Sequence, residues 1–204
     1  MGRSLTVLRS VAGSASAFLL LMLLTGCLST EVSVSLRENG SGTVNLGYRI
    51  DRAAWDVGVF DDSDVARAIP VTRREFEDAV LQIEGLRLRS HRIDRGQDLV
   101  TVDVRLDFDT PEALRRLLGA EALEINPGAS GSWRQVVAED AGVAGPGALA
   151  PELEPYTIRL ILTPPRPVSA TNGEMLRDGR AAAYTITLAD IARATEAVVW
   201  EVRW

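Results

Sequence analysis

The strongest constraint on the fold is a strict alternation of apolar and polar residues. Val100, Val102, Val104, Leu106 and Phe108 alternate with Thr101, Asp103, Arg105 and Asp107. A period of two sends the two sets to opposite faces of a strand, one buried and one wetted, as in an antiparallel sheet. The same period recurs near the start. Val32, Val34 and Leu36 alternate with Ser33, Ser35 and Arg37. Asn39-Gly40-Ser41-Gly42 follows, and then Val44, Leu46, Tyr48 and Ile50 alternate with Asn45, Gly47 and Arg49. Two such runs around a Gly-rich turn predict a β-hairpin. Further strands are expected at Leu86-Arg87-Leu88-Arg89, at Tyr156 to Leu162 and at Ala182, Tyr184 and Ile186. A closing strand through Val198, Trp200, Val202 and Trp204 puts two tryptophans on one face. Pro164-Pro165 and Pro167 stop one run. The turn signals Thr171-Asn172-Gly173 and Asp178-Gly179 place another hairpin between or beside them.

Helices are announced by their caps. Thr72-Arg73-Arg74-Glu75 is a capping box, with Val71 and Phe76 placed for a hydrophobic staple. Phe76, Ala79, Val80 and Ile83 follow helical spacing, and Gly85 is expected to close the helix at C′. Thr110-Pro111 opens a second helix with Leu114, Leu117 and Leu118 on its apolar side and Gly119 at its end. Thr187 caps a third, through Leu188 and Ile191. Asp61-Asp62-Ser63-Asp64 lacks the Gly and distant Glu of a calcium loop and reads as a solvated turn or helix start. Residues 140–155 are rich in Ala, Gly and Pro and read as a long loop. Trp133 is expected to pack. Strands and helices in this mixture predict an α+β fold with an antiparallel sheet.

The N-terminus carries a different message. Arg3 and Arg9 precede an uncharged stretch ending in Phe18-Leu19-Leu20-Leu21-Met22-Leu23-Leu24. This is the three-part pattern of a secretory signal and is short for a membrane span, which needs roughly 20 apolar residues. It stops at Leu24, Thr25, Gly26 and Cys27, which resembles the bacterial lipobox. In that motif the thiol receives a diacylglycerol and the peptide is cut just before the cysteine. Cys27 is the one cysteine of the 204 residues, so it cannot form an internal disulfide. The expected organisation is a cleaved signal over 1–26, a short lipidated linker over 27–30 and one domain over 31–204. All 22 basic residues are arginine, against 28 acidic ones, for a formal net charge of −6. Loss of Arg3 and Arg9 with the signal leaves the body more acidic still, which argues against nucleic acid as a partner. Two or three acyl chains anchor a protein stably where one does not. The expected location is the cell envelope outside the cytoplasm. Leu28 stands where Asp often marks inner-membrane retention, so the outer membrane is favoured in a Gram-negative cell.

The lipobox followed almost at once by Val32 to Leu36, the turn Asn39-Gly40-Ser41-Gly42 with its following strand, and Ser169-Ala170-Thr171-Asn172-Gly173 ahead of a terminal strand together resemble the LppM-domain family of bacterial envelope lipoproteins. The resemblance implies an α+β domain in which a curved antiparallel β-sheet packs against two or three short helices. It also implies an association with envelope lipids, since one member looks like proteins that hold lipids in a cavity. No catalytic residues carry over. Some members have a C-terminal membrane segment, and none is expected here, which leaves the acyl chains as the membrane attachment.

The function expected on these grounds is non-enzymatic: binding of lipid or glycolipid in an apolar groove. The candidate lining residues are Leu114, Leu117, Leu118, Trp133, Trp200 and Trp204. The alternative is a structural or assembly protein that docks another envelope protein through an edge strand or the 140–155 loop. No cofactor or metal is expected. An enzyme is disfavoured. His91 is the only imidazole, and Ser90 beside it on a strand would face the opposite side. Acidic residues occur throughout, so a carboxylate pair for glycosidase chemistry stays open.

Overall fold

A computed structural model describes residues 28–56, 70–118, 123–138 and 156–204. The expected signal, the lipobox-like residues Leu24, Thr25, Gly26 and Cys27, the Asp61–Asp64 run, Gly119 and the loop expected over 140–155 lie outside the described residues.

The expected hairpin is formed by β1 (Leu28–Leu36) and β2 (Gly42–Asp51), with Val34 opposite Val44 and Leu36 opposite Gly42. Strand β1 starts at Leu28, so residues 28–30 belong to the sheet and not to a linker. In the turn, Asn39 Oδ1 accepts hydrogen bonds from the Ser41 amide (3.1 Å) and hydroxyl (2.8 Å). Gly42 is required for a steric reason: a Cβ there would run into the Ser35 carbonyl and the Phe108 ring. Strand β3 (Leu86–Arg95) forms one edge and runs further than the four residues expected. Strand β4 (Leu99–Phe108) lies between β2 and β3. On the other side of β1 lie β7 (Thr157–Thr163), then β10 (Ala181–Thr187) and the short β9 (Glu174–Leu176). The β9–β10 turn holds Arg177 and Asp178 at φ of 52° and 54°, followed by Gly179 at 83°.

The α+β fold is as expected, but the sheet is mixed: β1 and β7 run parallel, Thr30 opposite Ile158 and Ser35 opposite Thr163. A parallel neighbour needs a long crossover, and more than a hundred residues separate these strands. A second sheet is also present, in the order β5 (Leu123–Asn126), β6 (Ser132–Ala138), β11 (Val198–Arg203), β8 (Ala170–Thr171). Its first two strands escape a reading by periodicity. Strand β5 alternates only through Leu123 and Ile125, and the adjacent Val136-Val137 break the pattern in β6.

Four short helices are described: α1 (Arg52–Asp56), α2 (Arg73–Gln82), α3 (Pro111–Leu117) and α4 (Leu188–Arg193). The α2 capping box is complete. Thr72 Oγ1 accepts from the Glu75 amide at 3.4 Å, while Glu75 Oε2 accepts from the Thr72 amide at 2.7 Å. Val71 and Phe76 are both fully buried, as the staple requires. The helix stops one residue earlier than Gly85 at C′ implies. Ile83 caps it in an extended conformation, and Gly85 (φ 82°) serves the turn into β3. Thr110 and Thr187 cap α3 and α4 as expected.

One core unites these elements. It joins the inward side chains of β1, β2 and β4, such as Val34, Val44 and Leu106, with Phe76, Leu114, Trp133 and Trp200. Each fully buried large side chain of this kind contributes about 1.5–3 kcal/mol of hydrophobic free energy. The opposite face of the seven-stranded sheet is polar.

Candidate functional site

The polar face is built by the same alternation that builds the core. Strand pairing aligns its residues in rows. Ser29 of β1, Arg49 of β2 and Thr101 of β4 stand side by side. In the next row stand Glu31, Gly47 and Asp103, with Arg159 of β7 on the far side of Glu31. Gly47 has no side chain, so the sheet surface dips there. An added Cβ would come no nearer to any neighbour than 3.9 Å, at Asp103 Oδ1 and the Glu31 carbonyl. The result is an open dish of about 350 Å³ whose wall carries Ser29, Glu31, Arg49, Asp103, Thr157 and Arg159. A smaller cleft of about 230 Å³ shares Glu31, Gly47 and Asp103 and adds Asn45, Ser90 and Arg105.

The charges in this dish stand without partners, among the described residues, on the sheet surface. Several arginines elsewhere do pair with carboxylate: Arg87 with Asp109 (2.6 Å), Arg89 with Asp107 (2.7 Å) and Arg166 with Glu38 (2.6 Å). The hydrogen bond from Arg87 holds the Asp109 carboxyl below its usual range, and that from Arg89 does the same for Asp107, helped by Thr43. Among the described residues, Glu31, Asp103, Arg49 and Arg159 form no ion pair or side-chain hydrogen bond. The Arg159 Nε is buried and lacks a partner altogether. Ser29 and Thr157 join their hydroxyls at 3.1 Å across the parallel pair. Two guanidinium groups and two carboxylates are thus held on rigid strands with their hydrogen-bonding capacity unspent. Such a surface can take a small polar molecule that carries both signs of charge, or hydroxyl groups beside a phosphate.

The six residues expected to line an apolar groove are placed differently. Leu114 is fully buried in α3, and Leu117 and Leu118 pack partly buried against the core. Trp133 and Trp200 are buried side by side, ring centroids 6.1 Å apart and edge to face, with Tyr184 6.3 Å from Trp200. Trp204 is also buried, and its Nε1 donates to the Gly128 carbonyl at 2.9 Å. The structure brings the three tryptophans to the second sheet and the three leucines to α3 and the residue after it. The dish and its neighbouring cleft are lined by other residues. The buried indole nitrogens of Trp133 and Trp200 have no hydrogen-bond partner.

His91 is accounted for by packing. Its Nε2 lies 2.8 Å from the Val71 carbonyl and its ring 5.8 Å from Phe76, so it braces the start of α2 against β3. Ser90 lines the smaller cleft on the polar face. No group of three or more metal-ligating side chains occurs among the described residues.

The dish residues were not foreseeable as a set. Gly47, Arg49 and Asp103 stand at the polar positions of two readable strands. Nothing in the sequence says that β7 lies beside β1, and that pairing alone brings Arg159 next to Glu31.

No protein-family model matches the chain, and no curated protein matches it. Among solved structures it is similar to the NMR structure of the folded domain of LppM from Mycobacterium tuberculosis. The likeness covers 86% of this chain and 88% of that one, at 12% identity and a TM-score of 0.46. It is a distant likeness from which no function is carried over.

Proposed function

We propose that this is a lipid-anchored protein of the bacterial cell envelope that binds, without catalysing a reaction, the polar head of a lipid or glycolipid. The observation that carries the reading is the dish of unpaired Glu31, Asp103, Arg49 and Arg159 at the end of the sheet where β1 begins. Cys27 of the lipobox immediately precedes that strand, so acyl chains on it would hold the dish close to a membrane surface. The burial of Leu114, Trp133, Trp200 and Trp204 moves the emphasis from an acyl chain to a head group. A phosphate suits the two guanidinium groups, and an amine or sugar hydroxyls suit the carboxylates. Docking of another envelope protein is the second reading. The long edge strand gives it little support, because β3 is bulged and carries Arg87, Arg89 and Arg92, which are devices against strand addition.

Native mass spectrometry of the detergent-extracted protein tests the proposal, run beside Cys27→Ala and Gly47→Val variants. The expected result is an acyl mass that depends on Cys27 and a retained lipid that Gly47→Val abolishes. A Cβ at Gly47 meets only ordinary contacts, so the valine raises the floor of the dish without a clash at that atom. A body that carries acyl chains and no other lipid would transfer the function to protein docking.

A further inference from the structure

The short reach from Cys27 to the fold has a geometrical consequence. Consecutive Cα atoms are about 3.8 Å apart. The head-group layer of a bilayer is roughly 5–8 Å deep on each side of its hydrocarbon core. An acyl-bearing Cys27 therefore cannot stand the domain off from the membrane, and the end of the sheet that holds Leu28 must lie within that layer.

Strand register identifies what else is at that end. Leu28 is opposite Ile50, Ile50 opposite Val100, Asp51 opposite Leu99, and Arg95 opposite Val100. Helix α1 starts directly after β2 and is tied to the β3–β4 turn. The Arg52 amide donates to the Asp98 carbonyl at 2.9 Å, and Arg52 Nη1 donates to Gly96 O at 3.3 Å. This puts Trp55 at the same end, partly packed on the core, with the Arg95 guanidinium 5.8 Å above its ring. Tyr156, next to the Thr157 that bonds Ser29, belongs there too. Among the described residues, Leu99 is one of three large apolar side chains left exposed, at 43%. An exposed leucine, a half-buried tryptophan, a tyrosine and a guanidinium stacked on an aromatic ring match the chemistry of a membrane–water boundary. The far end of the sheet differs. There the turn carries Glu38 paired with Arg166, and Asp109 paired with Arg87.

We infer that this end of the sheet, through Trp55, Leu99 and Tyr156, is seated in the head-group layer of a phospholipid bilayer. The inference rests on the lipid-anchored reading and adds a second, non-covalent contact to it. The contact is apolar and aromatic in character. Arg52 is paired with Asp56, and the chain as a whole is acidic, so attraction to anionic lipid is not its source. The seat fixes the orientation of the domain and brings the dish to the level of the lipid heads.

The test uses the full acylated protein in vesicles of phosphatidylethanolamine and phosphatidylglycerol, with bromine on the acyl carbons nearest the head group. The other three tryptophans are buried, so bromine reports on Trp55. The expected result is a loss of the Trp55 share of the emission, insensitive to salt. Trp55→Phe abolishes the loss and Leu99→Asp weakens it, with the near-ultraviolet dichroism of the buried tryptophans unchanged. An acylated protein whose emission ignores the bromine overturns the inference and leaves the anchor standing. Trp55 shielded from both bromolipid and aqueous acrylamide overturns it in favour of a protein that covers this end. A Cys27 without acyl mass removes the anchored reading and the inference with it.

Discussion

Tyr48 stands on the inward side of β2, and burial pushes its phenol from 10.0 up to about 12. A raised acid pKa favours the protonated fold. Its contribution is whole below pH 10 and fades as pH rises through about 12. A two-unit difference is about 2–3 kcal/mol. Alkaline titration of the unfolding midpoint is expected to fall over this interval in the parent and to flatten in Tyr48→Phe. Two glycines of the same strand make an opposed pair. Gly42→Ala drives a methyl group into the Ser35 carbonyl and the Phe108 ring, whereas Gly47→Ala meets only ordinary contacts. Chemical denaturation of the two variants is expected to show a loss of about 1–3 kcal/mol or more for the first and a far smaller change for the second. Trp133→Ala opens a cavity in the core and is expected to cost about 3–5 kcal/mol in the same assay.

The helices depend on their caps more than on their length. Helix α2 has ten residues, short for a helix that must stand alone, and its first turn is held by Thr72 and Glu75. Thr72→Ala is expected to lower stability by about 1 kcal/mol, read as a shift of the urea midpoint at constant slope. Caps of this kind are local, which is why Thr72, Thr110 and Thr187 could be identified from the sequence. So could β1, β2 and β4, whose alternation repeats often enough to define a face. Strands β5, β6 and β8 could not, because two to seven residues with mixed or adjacent apolar positions carry no period. The site was hidden for another reason. Arg49, Gly47 and Asp103 are legible as outward positions, but the neighbours that turn them into a dish are set by strand order, which the alternation leaves undetermined.

At the scale of the whole molecule, two sheets and their helices close on one core, and β11 lies at the centre of the smaller sheet. It contributes Trp200 and Val202, and Trp204 follows it. Removal of residues 198–204 is expected to abolish cooperative thermal unfolding and the near-ultraviolet signal of the Trp133–Trp200 pair. Calorimetry and circular dichroism together check this. The arrangement also separates two duties. The inward face holds the fold together, and the outward face of the larger sheet keeps its charges available.

The parallel partnership of β1 and β7 governs the order in which the protein can come into being. Its first strand waits for a partner 128 residues further along, at Thr157. Pairings so remote in sequence make folding slow, on the millisecond-to-second scale or longer. Until β7 arrives, the early hairpin carries an open, unpaired edge at β1. A nascent chain of this kind remains unfinished until most of it has emerged, which is the condition in which a polypeptide can still be threaded through a translocation channel. The strand nearest Cys27 is thus made first and completed late.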